Sequence, residues 1–323
     1  MRAKNLIAIL GAVFLSIMTL MQTGRDCMAA GYVIPAEDFE YIPAGTFTMG
    51  DMTSQYDDEK PAHPVTITNA FGMQHHEVTQ GQWFAVMGTK PWTGKDYVRE
   101  GDDFPAVYIS WDDVQAFIAQ LNSNAGKTLF RLPTEAEWEY ACRAGTTTEY
   151  SFGDDTSMLG NYAWFYNNAW DIDEKWAHEV TRKHPNPWCL YDMHGNVFEW
   201  CSDWYGINYY KSSPTTDPKG PDSGDSKVIR GGSFRKIESE CRSARRQARS
   251  TDPSLSLDDL GFRLVRTDVQ PRKPALSDLV PVLQVCAGMD NTLCLLHGDI
   301  NHDGRIDLVD AIEIFQFVSG QRN

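Results

Sequence analysis

All ten tryptophans of this 323-residue chain lie between Trp83 and Trp204. An indole is among the largest side chains a core can bury, and its N–H wants a partner once enclosed. So many within one stretch predict a block held together by aromatic packing rather than by long regular elements. Exposed indoles would instead form a sugar-stacking platform; core packing is the expected use. The block spans roughly residues 41–266. A connector with Pro271 and Pro274 follows at 267–275. Residues 276–323 differ in character, with seven acidic residues against two Arg and no Trp. That shift, across a proline-bearing stretch, marks a boundary.

The expected organisation is a signal peptide at 1–30, a main domain at 31–266, a linker at 267–275 and a C-terminal module at 276–323. At the N-terminus, Arg2 and Lys4 precede an apolar run at 6–21, and the small residues Ala29, Ala30 and Gly31 follow. A positive start, an apolar middle and a small-residue cleavage site read as a secretory signal. The run is short for a span of about 20 residues. Arg25 and Asp26 before Cys27 do not suit a lipid-attachment box. The mature chain is therefore expected to be secreted or periplasmic, free of the membrane after cleavage, where disulfides are permitted. Its net charge of −15 repels phosphate backbones, which excludes nucleic acid as a partner. Seven cysteines without a CxxC pair argue against a zinc ribbon or thioredoxin chemistry.

The terminal segment repeats itself. Leu276, Asp278, Gln284 and Gly288 recur at the same offsets as Leu308, Asp310, Gln316 and Gly320. Each copy reads as a short amphipathic helix opened by an acid and closed by glycine, and the two are expected to pack on each other. Ahead of the second copy, oxygen-bearing side chains fall at positions 1, 3, 5, 9 and 12 of a loop: Asp299, Asn301, Asp303, Asp307 and Asp310. Gly304 at position 6 permits the sharp turn, Arg305 at position 7 offers its carbonyl, and Ile306 would pin the loop to the helices. That spacing suits Ca2+, which takes about six to eight oxygens. Cys286 and Cys294 lie between the helices and are expected to form a disulfide.

In the main block two helices are expected, at 111–122 and 134–144, among short strands such as 65–68 and 228–229. Thr134 and Glu137 have the spacing of a capping box. The fold class is α+β, rich in irregular structure.

Several motifs in order carry a family resemblance. They are Gly45-Thr46-Phe47-Thr48-Met49-Gly50, Glu77-Val78-Thr79, Val107-Tyr108-Ile109-Ser110-Trp111, a run from Arg131 through Trp138 and Cys142 to Gly145, Leu190 through Gly195 and Asn196 to Trp200, Arg230-Gly231-Gly232-Ser233-Phe234 and Gly261-Phe262-Arg263. Together they resemble the formylglycine-generating enzyme (sulfatase-modifying factor) family, over about 225 residues. The resemblance implies a fold related to C-type lectins. It also implies oxidation of a sulfatase cysteine to formylglycine, with oxygen and a copper ion held between two cysteine thiolates. Those cysteines lie five residues apart, just after the Gly-Gly-Ser motif. Counting from Gly231, the second falls on Cys241 and the first on Lys236. A protonated lysine has no lone pair for a metal, so copper chemistry is not expected.

Cys241 is the candidate catalytic residue. Arg242, Arg245 and Arg246 nearby would lower its pKa; a buried or disulfide-bonded cysteine is the plainer alternative. The family's structural calcium maps onto Asp192, Met193, Gly195 and Val197, and a second site onto Asn161 and Tyr162. The terminal loop and helices resemble dockerin modules, which implies a cohesin-like partner, although the first copy lacks a calcium loop. His75 and His76 read as a surface pair, because no HExxH motif accompanies them. Three functions compete: a divergent or non-catalytic family member stabilised by calcium, a glycan- or protein-binding module on a lectin-related fold, and an active formylglycine-generating oxidase.

Overall fold

The computed structural model describes residues 31–252, 256–286, 300 and 305–319. The expected signal peptide lies outside the described residues, as do Asp299, Asn301, Asp303 and Cys294. Strands β1 (Phe39–Ile42), β2 (Gly45–Met49), β3 (His63–Ile67) and β4 (Phe71–Gln74) come first. Helices α1 (Gln80–Met87) and α2 (Trp111–Ala125), strand β5 (Phe130–Arg131) and helix α3 (Glu135–Arg143) follow. The one-turn α4 (Leu159–Tyr162) stands in a long irregular stretch. Beyond it come β6 (Phe198–Trp204), β7 (Ser226–Arg230), β8 (Arg246–Ser250), β9 (Leu260–Gly261) and β10 (Val265–Arg266). Helices α5 (Leu276–Cys286) and α6 (Leu308–Val318) come last.

Three helix starts use the same local chemistry. At α1, α2 and α3 the N-cap residues Thr79, Ser110 and Thr134 accept the N–H of Gln82, Asp113 and Glu137, whose side chains reach back to the cap. Each reciprocal pair satisfies two backbone donors that a helix otherwise leaves open. The capping box expected at Thr134 is thus present, and the two expected helices form within a few residues of the read boundaries.

One sheet has the order β1-β4-β10-β5 and another β8-β7-β6-β9, while β2 pairs with β3. Because β10 lies antiparallel between β4 and β5, the end of the block is sewn to its beginning. Strand β9 runs parallel to β6. It brings the Gly261-Phe262-Arg263 motif beside the strand that carries Glu199. Trp83, Trp92, Trp138 and Trp200 are buried, and none of the ten indoles is exposed. Trp83 stacks on Phe117 with centroids 5.2 Å apart. The indoles serve the core, as expected. Arg230, Arg246 and Arg263 are enclosed with them at 0 % exposure, which is tolerable only with carboxylate partners.

At the far end, α5 and α6 pack on each other around Val282, Ala311 and Ile314, with Ile300 and Ile306 against this small cluster. The pairing of the repeats and the anchoring by Ile306 follow the sequence pattern.

Candidate functional site

After β7 the chain turns through Gly231 and Gly232, at φ 98 and 77. A Cβ on Gly232 would come within 2.6 Å of the Cys241 sulfur and 3.0 Å of its Cα. Glycine here serves both the left-handed backbone and the close approach. Cys241 is consequently a free thiol with 0 % exposure, and burial pushes its pKa well up. The arginines expected to activate it are committed elsewhere. Arg242 pairs with Glu59 at 2.9 Å and Asp51 at 3.2 Å, Arg245 with Glu240 at 3.1 Å, and Arg246 with Glu135 at 2.7 Å. The lowered pKa that a reactive thiol would need is absent and the plainer alternative, a buried cysteine, holds: the guanidiniums face carboxylates, and desolvation dominates. Lys236 is held in the loop by its backbone, its N–H on the Ser233 carbonyl at 2.9 Å and its carbonyl on the Tyr166 N–H at 2.8 Å. Its ammonium lies 5.7 Å from the Phe198 ring centroid. One buried, protonated thiol and one ammonium do not make a two-thiolate copper site.

His194 buttresses this loop and was not singled out from sequence. The Ser151 N–H donates to its Nε2 at 3.1 Å. Nε2 is therefore unprotonated, and Nδ1 carries the proton donated to the Cys241 carbonyl at 2.9 Å. Burial pushes the ring pKa down to about 4. The Cys142 sulfur lies 3.9 Å from Nε2, and burial pushes that thiol up to about 12. Both groups are neutral and enclosed, unlike the exposed thiolate pair a nucleophile needs.

A third cluster contains the residues implied in calcium binding. Glu199 is clasped by Arg263 through two contacts of 2.7 Å and by the Trp138 indole at 2.8 Å. Asp192, at φ 61, accepts the Thr181 N–H at 2.9 Å through Oδ2. Its Oδ1 and both carboxylate oxygens of the fully buried Glu77 have no hydrogen-bond partner. Burial, then the neighbouring Asp192 carboxylate, push the Glu77 pKa well up. Burial takes Asp192 from its ordinary 3.8 to about 6. Buried anions without partners are costly, and a cation would resolve the cost. A Cβ on Gly231 would lie 3.8 Å from the Met193 carbonyl and 3.7 Å from that of Val197, so these two oxygens share one neighbourhood. Gly195 is pressed against the Trp164 carbonyl, 2.2 Å from where a Cβ would stand. Glu77 escaped sequence reasoning, although its place among apolar neighbours just before the Thr79 cap was a signal.

The second implied set is on α4. Asn161 is exposed, and its carbonyl accepts the His184 N–H at 2.8 Å. Tyr162 stacks on Phe152 at 4.3 Å. Among the described residues no three His, Cys, Asp or Glu side chains gather in metal-ligating geometry. His76 corrects the surface reading: it is buried, its Nδ1 donates to the Glu77 carbonyl at 2.7 Å, and burial lowers its pKa to about 4. His75 and His76 line a polar cavity of about 580 Å³ with Tyr32, Gln82, Asp102 and Thr181.

Of the terminal loop, Arg305, Asp307 and Asp310 are described. Asp307 caps α6, accepting the Val309 N–H at 2.7 Å. Asp310, at 0 % exposure, accepts the Ile300 and Asp307 N–H groups, each at 2.8 Å. Cys286 is a free, exposed thiol, so the bridge expected of it is not formed. Cys294, the partner expected for it, lies outside the described residues. Cys189, by contrast, is disulfide-bonded.

A family model described as the sulfatase-modifying factor enzyme 1-like domain matches residues 29–268. The formylglycine-generating enzyme of Streptomyces coelicolor is 39% identical over 194 residues, 56% of this chain and 59% of that protein. The formylglycine-generating enzyme of Bos taurus is 30% identical over 283 residues, 69% of this chain and 72% of that protein. This chain thus spans only 59% of the length of the Streptomyces enzyme. Among solved structures, Treponema denticola variable protein 1 matches with a TM-score of 0.63 and 30% identity, over 71% of this chain and 94% of its own.

Proposed function

This chain belongs to the sulfatase-modifying factor family, and from that premise we propose that it is an exported member that does not perform copper-dependent formylglycine formation. The carrying observation is at the Gly-Gly-Ser loop. Lys236 stands where one copper thiolate is implied, and the remaining thiol, Cys241, is protonated and packed against glycine backbone. Removing one soft donor removes half of the two-sulfur donor set that would suit Cu(I). Incubation of the mature chain with copper, oxygen and a CxPxR peptide should leave the peptide mass unchanged. A mass loss matching aldehyde formation would reject the proposal.

Calcium is the metal this reading retains. Glu77 and Asp192 would hold it in the main block, where the three unpartnered oxygens support a hard cation, with Met193, Gly195 and Val197 as implied carbonyl donors. Asp299, Asn301, Asp303, Arg305, Asp307 and Asp310 would hold another in the terminal loop. In both places the ion would neutralise acids and brace the fold; no reaction step is assigned to it.

The binding-module reading is favoured by one separate observation. Leu308, Val309, Ile312, Phe315 and Val318 of α6 are each between 42 and 59 % exposed. An apolar helix face of that kind suits a protein partner, such as the cohesin-like one implied by the dockerin resemblance. Retention of the mature chain on an immobilised cohesin, abolished by Phe315→Asp, would support it; equal retention of the variant would not.

A further inference from the structure

The two repeats of the terminal segment open their helices with the same acid, and the described contacts of that acid differ in one oxygen. In the second copy Asp310 accepts the Asp307 N–H at 2.8 Å through Oδ2. In the first copy Asp278 accepts the Ala275 N–H at 2.7 Å through Oδ2. Aligning Asp278 with Asp310 aligns Ala275 with Asp307, so the caps are equivalent. The other oxygen separates the copies. Oδ1 of Asp310 accepts the Ile300 N–H, within the stretch read as a calcium loop. Oδ1 of Asp278 instead receives the Arg272 guanidinium at 2.7 Å. Asp278 is 7 % exposed in its side chain and Arg272 is 48 %, so the pair lies at the edge of the helix pair with its acid inside.

We propose that Arg272 takes the place of a metal ion in the first repeat, leaving the terminal segment with one divalent-cation site instead of two. The connector supports this. Its one carboxylate besides the helix-opening acid is Asp268, which is paired with Arg266. Six to eight oxygens cannot be assembled there. A guanidinium stays charged at any physiological pH and cannot be chelated away, unlike a calcium ion. The first helix is thus opened by a cation that belongs to the chain. The proposal rests on the calcium reading of the terminal loop; the Arg272–Asp278 pair itself does not.

The test uses the mature chain as wild type, Arg272→Gln, Asp278→Asn and Asp303→Ala. Bound calcium is counted by native mass spectrometry, and amide exchange at the start of α5 is followed in EDTA and in calcium. Asp303→Ala should lose one ion; an unchanged count would refute the loop reading alone. Arg272→Gln should keep the wild-type count and exchange roughly two- to five-fold faster at Ala275 and the first turn, equally with and without calcium. Asp278→Asn should lose no ion. The proposal is overturned if Asp278→Asn loses an ion, if calcium restores slow exchange in Arg272→Gln, or if Arg272→Gln exchanges like wild type.

Discussion

Cys241 and Asp192 are both buried, but the surroundings of one are closed and those of the other are not. Near Cys241 the buried guanidiniums are answered: Arg242, Arg245 and Arg246 meet Glu59, Glu240 and Glu135, and His194 holds the loop carbonyl. Near Asp192, Glu199 is clasped by Arg263, yet three carboxylate oxygens of Glu77 and Asp192 have no partner. The protein's own groups fill the first region, where the family's copper would be held. They leave three carboxylate oxygens of the second unanswered. Metal dependence has therefore to be sought at the carboxylates, not at the thiol.

The comparison can be broken most severely on the closed side. Arg246→Ala takes the nearer of two guanidiniums from the buried Glu135 carboxylate, leaving it Arg230 at 3.1 Å, and should cost about 3 kcal/mol in urea unfolding. A loss under about 1 kcal/mol would mean that the network is not what closes the region. On the open side, chelation should be the larger lever. At calcium near 100 times its dissociation constant, EDTA should remove about 2.7 kcal/mol. The Glu77→Gln, Asp192→Asn double variant should lose most of the main-block share of that response. An unchanged response would place the stabilising ion elsewhere.

A smaller effect follows from pH. Asp192 titrates near 6 in the folded chain against an ordinary 3.8. In EDTA its contribution is full below about 4 and is lost as pH rises through 6, because the unfolded chain sheds that proton first. The stability difference between wild type and Asp192→Asn should therefore shift against wild type across that window. A flat difference would show Asp192 ionised in the fold. The smallest change belongs to Lys236→Ala, expected within about 0.5 kcal/mol because its side chain is only partly buried and has no carboxylate partner shown. A loss above about 2 kcal/mol would make that lysine a structural element.

Much of the frame was legible. Thr134 and Glu137 announce their helix because a capping box is local, and the tryptophans announce a core because their size leaves few other uses. The site was legible only where a motif named it. Arg242, Arg245 and Arg246 looked like activators of Cys241 because they neighbour it in sequence. Two of the three have remote acids: Asp51 lies 191 residues from Arg242, and Glu135 lies 111 from Arg246, whereas Glu240 is only five from Arg245. Nothing local reveals such pairs. His76 looked superficial for want of a second ligand, but the fold buries it with its ring bonded to the Glu77 carbonyl. Glu77 itself shows the limit most clearly, since a missing partner is visible only once all neighbours are in place.

Titration of the mature, reduced chain with cuprous ion against a chromogenic chelator tests the central claim most directly. Lys236 and an enclosed Cys241 thiol should leave all of the metal with the chelator. One tightly held ion per chain, lost on Cys241→Ala, would contradict the account.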